Sequence, residues 1–342
     1  MHSHETYMNR CIQLAKLGEG FVAPNPMVGA VIVYDNRIIG EGYHQKYGEP
    51  HAEVNAINSV EDKSLFKEST IYVSLEPCAH FGKTPPCANL IVEHQFKKVV
   101  IGSRDPHSKV DGKGILILKE KNIEVITGIL KNECDELNKR FFTFHQKKRP
   151  FIVLKWAETA NGKIDNGGNK NAITWISCPE SQVFVHQLRK ENQAILVGKK
   201  TTENDNPSLT LRRLTGRNPI RVVIDSSNSL NPDRQIFNTA AQTVVLNLNR
   251  DENKENIEWI KVETISPESI LQKLYEKGID SVLIEGGRMT LQSFIDANLW
   301  DEAHQIIGEN TFVHGTDAPV IKNVPTESVS FFKDKLLFYR NL

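Results

Sequence analysis

The apolar positions of this chain change period repeatedly. The opening "MHSHETYMNRCIQLAKLGEG" reads as an amphipathic helix interrupted by polar residues. It is followed by a strand-like run, "AVIVYDNRIIGEG", a helix from His51, a strand "STIYVSLE", a helix from about Pro86, a strand "KKVVIGS" and a last helix-and-strand stretch. Strands alternating with helices predict an α/β layer sandwich. The basic, Pro-containing segment Gln146 to Pro150 then interrupts the pattern before a new apolar run begins at Phe151. Beyond it the strands "PFIVLKWA", "AILVG", "IRVVIDS", "TVVLNLN" and "SVLIEGG" alternate with helices such as "CPESQVFVHQLRKEN" and "PESILQKLYEKG". The expected organisation is two α/β domains, residues 1–147 and 148–342, which suits a chain of 342 residues.

Charge narrows the classes of function. Lys+Arg and Asp+Glu both number 42, a net charge of +0, so no bulk field draws this chain to nucleic acid or to an anionic membrane. A local basic site for one phosphate is still compatible with that balance. The cysteines are Cys11, Cys78, Cys87, Cys134 and Cys178, an odd set that makes no disulfide framework in a chain this long. The N-terminus lacks the apolar core of a secretory signal, and no run approaches membrane-spanning length. The expected setting is a reducing cytoplasm, without membrane or nucleic-acid partners.

Two of those cysteines stand in "PCAHFGKTPPC", and "HAE" lies upstream. An isolated cysteine pair is more often two small buried hydrophobes, with a histidine nearby as a helix cap. Here a proline precedes each cysteine, and the helix starting at His51 would bury Ala52, Ala56, Ile57 and Val60 on one side. His51, Cys78 and Cys87 then form a nitrogen-and-sulfur donor set for tetrahedral zinc with an open fourth position, the mark of a catalytic site. Helix N-termini would favour the thiolates. Glu53, two residues from His51, can take a proton from water and deliver it to a departing amine. H-x-E with P-C and a further cysteine is the signature of zinc nucleobase deaminases, although the eight residues between these cysteines exceed the usual two. Asn25, between two prolines, offers donor and acceptor to a pyrimidine edge or simply forms a turn. His44, His80, Lys83 and Thr84 can reach a phosphate or sugar.

"APNPMVGAVIV", "GYHQKYGEPHAE", "SLEPCAHFGKTPPC" and "SRDPHSKVDGKG" together resemble the deaminase domain of the bifunctional riboflavin-biosynthesis deaminase/reductases. The resemblance implies zinc on His51, Cys78 and Cys87, Glu53 as proton shuttle, and Asn25, His44, Lys83 and Thr84 in the substrate pocket, with Asp105 a further candidate. It also implies a cytidine-deaminase-like α/β/α sandwich.

The second half has no G-x-G-x-x-G after a strand. Gly286 and Gly287 follow the strand in "VLIEGGRMTLQSFID" and precede a helix. That arrangement serves as a turn or as a pyrophosphate cradle. "LKWAETANGKI", "ITWIS", "HQLRKENQAILVGKKTTENDNPSLTLR" and "LIEGGRMTLQSF" run in the order of the reductase domain of the same family, which has a dihydrofolate-reductase-like fold. This resemblance implies NADPH along Ala157, Trp175, Thr201, Asp205, Ser226, Gly287, Arg288, Met289, Thr290, Leu291, Gln292 and Ser293. It implies a phosphorylated pyrimidine substrate at Ile173, Arg189, Leu209, Arg212 and Glu285, and a homo-oligomer, dimer or tetramer. Arg189 and Arg212 suit phosphate as forked donors, and Glu285 suits proton transfer. Asn161 and Ile173 depart from the family pattern, which leaves open an active deaminase joined to a scaffold that lost reduction.

Overall fold

The computed structural model describes residues 3–79, 85–108, 110–167 and 175–341. The chain divides into two compact units, Met1–Lys148 and Arg149–Leu342.

The first unit contains α1 (His4–Lys16), β1 (Gly29–Tyr34), β2 (Arg37–Tyr43), α2 (Ala52–Asn58), β3 (Thr70–Leu75), α3 (Cys87–Glu93), β4 (Lys98–Ser103), α4 (Lys113–Glu120), β5 (Glu124–Thr127), α5 (Lys131–Leu137) and α6 (Lys139–Lys147). Its sheet runs β2-β1-β3-β4-β5, with β3, β4 and β5 parallel and β1 antiparallel to both of its neighbours. Alternation along β1 builds two cores, because successive side chains leave opposite faces of a strand. Ala30 and Ile32 pack with Ala56, Ile57, Ile91 and Leu118, whereas Val31 and Val33 pack with Met8, Cys11 and Cys134. Helices on both faces of one sheet make the three-layer arrangement that the alternation predicts. One detail differs. "AVIVYDNRIIGEG" is a hairpin of two strands, with Tyr34 opposite Arg37 and both Asp35 and Asn36 at positive φ. Asp and Asn tolerate that backbone, so the pair forms a two-residue turn.

The second unit contains β6 (Phe151–Glu158), α7 (Pro179–Glu191), β7 (Ala194–Gly198), α8 (Lys199–Asp205), β8 (Ile220–Ile224), β9 (Thr243–Asn247), β10 (Glu252–Lys254), β11 (Ile257–Lys261), α9 (Pro267–Glu276), β12 (Ser281–Ile284), α10 (Arg288–Asp296), β13 (Glu302–Ile307), β14 (Glu327–Phe331) and β15 (Asp334–Arg340). The sheet order is β10-β11-β9-β8-β7-β12-β6-β13-β15-β14. Its centre, from β11 to β13, is parallel; β15 lies antiparallel on β13, and β14 on β15. Ile152, Leu154 and Trp156 of β6 face α9 and α10, while Phe151 and Val153 face Leu188 of α7. Arg149 fixes the start of β6: its guanidinium donates twice to Asp301, at 2.6 and 2.7 Å, and the Ile152 N–H donates to the same carboxylate at 2.8 Å. No described helix is long and apolar enough to cross a membrane.

Candidate active sites

In the first unit, the strand β3 and two helix starts converge. His51 occupies the N-cap position of α2 without making a side-chain cap bond, so its ring is available to the cysteines. Its Nδ1 lies 3.7 Å from the Cys78 sulfur and 3.4 Å from that of Cys87. All three donor atoms fall within 4.8 Å of one another. Tetrahedral zinc, with Zn–S about 2.3 Å and Zn–N about 2.0 Å, requires nitrogen and sulfur to be roughly 3.5 Å apart. The donors therefore already stand at the spacing that the metal imposes. Among the described residues this group has three members, one fewer than a closed structural site.

Electrostatics link the trio. The hydrogen bond with Cys78 raises His51 to about 9, against the effect of burial. Cys78 is held well below the ordinary thiol value, by the hydrogen bond from Cys87 first and then by His51. In the metal-free site the two thiols are unequal. Cys87 opens α3, but its N–H donates to the Cys78 sulfur at 3.3 Å, and its own thiol is pushed upward by Cys78 and by burial. A cation entering here would displace the shared protons. Glu53 is 4% exposed, and burial raises it to about 7 although His51 pulls the other way.

The remaining pocket residues are only partly brought together. His44 donates from Nδ1 to the Pro50 carbonyl at 3.1 Å, which leaves Nε2 to accept from the Asn25 amide at 3.2 Å. Its ring meets that of His51 edge-on at 5.5 Å. Asp105 is buried, and burial raises it to about 7, with Glu76 and Cys78 adding to the effect. His80, Lys83 and Thr84 lie outside the described residues.

The second site forms at the C-terminal ends of parallel strands, where open α/β sheets bind ligands. Ala157 lies near the end of β6, Ser226 follows β8, Thr201 lies in the first turn of α8 with Asp205 at its end, and Glu285, Gly286 and Gly287 connect β12 to α10. A Cβ on Gly286 would stand 2.4 Å from the Val197 Cα and 2.7 Å from the Gly198 nitrogen. Gly287 has φ +55°, and a Cβ there would point at Thr201 Oγ1, 3.2 Å away. The first intrahelical bond of α10 runs from Leu291 N–H to the Gly287 carbonyl. The N–H groups of Arg288, Met289 and Thr290 precede it and are available to an anion. This cradle fits a dinucleotide's pyrophosphate. Not every side chain in that run faces outward: Leu291 is core, and Gln292 is engaged with Val320. Gly286→Ala is expected to weaken NADPH binding at least about tenfold and to lower stability of the second unit by about 1–3 kcal/mol, the usual range for overpacking. Titration of cofactor fluorescence beside thermal melting would measure both.

Arg189 donates to both oxygens of Glu285, at 3.2 and 2.9 Å. Burial opposes ionisation of Glu285, but Arg189 and Lys155 outweigh it and hold the carboxyl down at about 2. Lys155, on β6, was not among the residues the sequence pattern suggested, and burial lowers its amine. A lysine inside the apolar run "FIVLKW" was the available signal. His186, also missed, accepts the Arg212 N–H at 3.3 Å; burial and then Arg189 and Arg212 lower it to about 4. Leu209 is a core residue at positive φ, whereas Trp175 and Arg212 are exposed. Ile173 lies outside the described residues.

Comparison with known proteins matches both halves in order. Residues 1–103 match the cytidine and deoxycytidylate deaminase zinc-binding region, and residues 150–318 match the RibD C-terminal domain. The riboflavin biosynthesis protein RibD of Bacillus amyloliquefaciens is 41% identical, with 92% of this chain and 86% of the relative covered. That of Aquifex aeolicus (strain VF5) is 39% identical, covering 89% and 88%. A crystal structure from Thermotoga maritima, described as a diaminohydroxyphosphoribosylaminopyrimidine deaminase/5-amino-6-(5-phosphoribosylamino)uracil reductase, is 40% identical, with a TM-score of 0.87 over 98% of both chains. Similarity of this extent places the chain in the RibD family of riboflavin biosynthesis, bifunctional enzymes that join a zinc-dependent deaminase to an NADPH-dependent reductase.

Proposed function

We propose that residues 1–147 hydrolytically deaminate 2,5-diamino-6-(5-phosphoribosylamino)pyrimidin-4(3H)-one, and that residues 148–342 reduce the ribosyl chain of the product to give 5-amino-6-(5-phosphoribitylamino)uracil. The observation that carries the first assignment is the convergence of His51, Cys78 and Cys87 beside the buried carboxyl of Glu53. These three residues would hold zinc, which supplies Lewis acidity and a readily deprotonated water when bound. Glu53, buried beside these donors, is suited to take a proton from that water and return it to the leaving ammonia. Asn25, fixed by His44, and Asp105 would orient the pyrimidine. His80, Lys83 and Thr84 are proposed to reach its ribose phosphate.

In the second unit NADPH would supply hydride to the sugar C1, opened as an imine whose C=N π bond breaks as its nitrogen takes a proton from water. The diglycine cradle and the first turn of α10 would bind its pyrophosphate, with Ala157, Thr201, Asp205, Ser226 and Trp175 along the rest. Arg189, Glu285 and Lys155 together form a charged wall against which the open ribose can be placed, and Arg212 with Arg189 suits the phosphate. We further assign the protein to the cytoplasm, supported by its five free cysteines, as a homo-oligomer, dimer or tetramer, as the family resemblance implies.

The test is to incubate the zinc-loaded protein with the diaminopyrimidinone ribotide, with and without NADPH, following ammonia and product mass. Ammonia without NADPH, and a gain of two hydrogens only with it, is the expected outcome. Deamination without reduction when NADPH is present would remove the reductase assignment.

A further inference from the structure

Glu76 is 3% exposed and belongs to neither the donor set nor the proton shuttle. It follows β3 and lies two residues before Cys78. Its carboxylate gathers backbone N–H groups from a segment distant in sequence. Oε2 accepts from Asp105 at 3.3 Å and from Gly112 at 3.0 Å, and Oε1 accepts from Ile115 at 3.2 Å. Its own N–H donates to the Ser103 carbonyl at 2.8 Å. Gly112 is the N-cap of α4, at φ 87° and without a side-chain cap, so Glu76 supplies from across the fold the acceptor that this helix start lacks. The approach is close: a Cβ on Gly114 would lie 2.1 Å from the Pro77 carbonyl oxygen. The loop held in this way carries Asp105, whose Oδ1 accepts the His107 N–H at 2.7 Å.

We propose that Glu76 is a positioning residue for deamination: it ties the Asp105 loop to the turn bearing Cys78, so that the pyrimidine contact is set relative to the metal donors. This inference rests on the reading of Asp105 as a substrate contact. A carboxylate suits the task because three donors converge on it. A glutamine keeps only one acceptor oxygen and turns its NH₂ toward an N–H.

The experiment compares Glu76→Gln, Asp105→Asn and the double variant in the full-length, zinc-loaded protein. It reads kcat and KM for ammonia release, bound zinc, and NADPH oxidation with the already deaminated substrate. Glu76→Gln is expected to raise the deamination KM about tenfold, as for loss of a hydrogen bond to a charged acceptor, with kcat changed less. Zinc is expected to stay at one per chain, with reduction unaltered. The double variant is expected to have the KM of Asp105→Asn alone, since residues acting through one another are not additive. Glu76→Asp, which restores the charge with a shorter reach, is expected to recover part of the loss.

If Glu76→Gln loses zinc and kcat together, the residue merely supports the fold and the proposal is overturned. Additive effects would overturn it while leaving Asp105 in the pocket. An unchanged KM in Asp105→Asn would remove the Asp105 reading and the inference with it.

Discussion

Glu53→Gln is expected to reduce the deamination rate by about three orders of magnitude, within the range that a positioned acid–base group supplies. The substitution retains the side chain's shape but removes its ability to carry a proton between water and amine. Two quantities should hold constant. Zinc content should stay at one per chain, because Glu53 is not among the grouped donors His51, Cys78 and Cys87. Reduction of the deaminated substrate should continue at its normal rate, because that chemistry belongs to the second unit. Metal analysis beside ammonia release and NADPH oxidation would check all three. Full deamination by the variant would leave Glu53 idle and assign the proton transfer to another group.

Glu285→Gln is expected to have the largest effect on reduction, lowering its kcat/KM by about a hundredfold through misplacement of Arg189 and Lys155 around the open ribose, with deamination untouched. The stability effect has a separate origin. Arg189 and Glu285 are 11% and 9% exposed at their side chains, and Lys155 adds a second cation to the same carboxylate. Removing one member of a buried ion pair costs about 3–5 kcal/mol, because the remaining charge stays desolvated. For a unit of this size, each kcal/mol lowers Tm by roughly 2–4 °C. Calorimetry should therefore show the transition of the second unit falling by about 10 °C, a product of those two ranges. A variant that melts lower but reduces at the normal rate would show that the carboxylate is needed for packing its cations and not for the reaction.

Much of the first site was legible because its chemistry resides in residue types within two short stretches. His51 and Glu53 flank one residue, and Cys78 and Cys87 each follow a proline. The inequality of the two thiols was not legible, since it arises from the hydrogen bond between the cysteine side chains that only the fold brings together. The Asn25–His44 pair and the Glu76 network join residues 19 to 39 positions apart, and one sequence does not encode such pairings visibly. In the second unit, apolar runs identified the central strands. The helix α8, "KKTTEND", has no apolar stripe to reveal it, being formed at the end of β7 by its surroundings. Leu291 was read as part of a cofactor-binding run, but its side chain is buried in the core.

The strands β14 and β15 have a bearing on how the reductase half can be handled in isolation. The similarity to the RibD C-terminal domain stops at residue 318, before both strands, and none of the proposed site residues lies beyond that point. A polypeptide shortened to residue 318 would keep its catalytic groups but strip β13 of the six-residue pairing from Glu302↔Arg340 to Ile307↔Lys335. It would also uncover Ile306, which now packs with Leu336. The present edge, β14, is mostly exposed, whereas an uncovered β13 would offer an open edge carrying Ala303 and Ile306, and an apolar edge of that kind recruits other chains. The C-terminal hairpin thus acts as a guard on colloidal behaviour, and its removal should appear as self-association in light scattering before any loss of turnover.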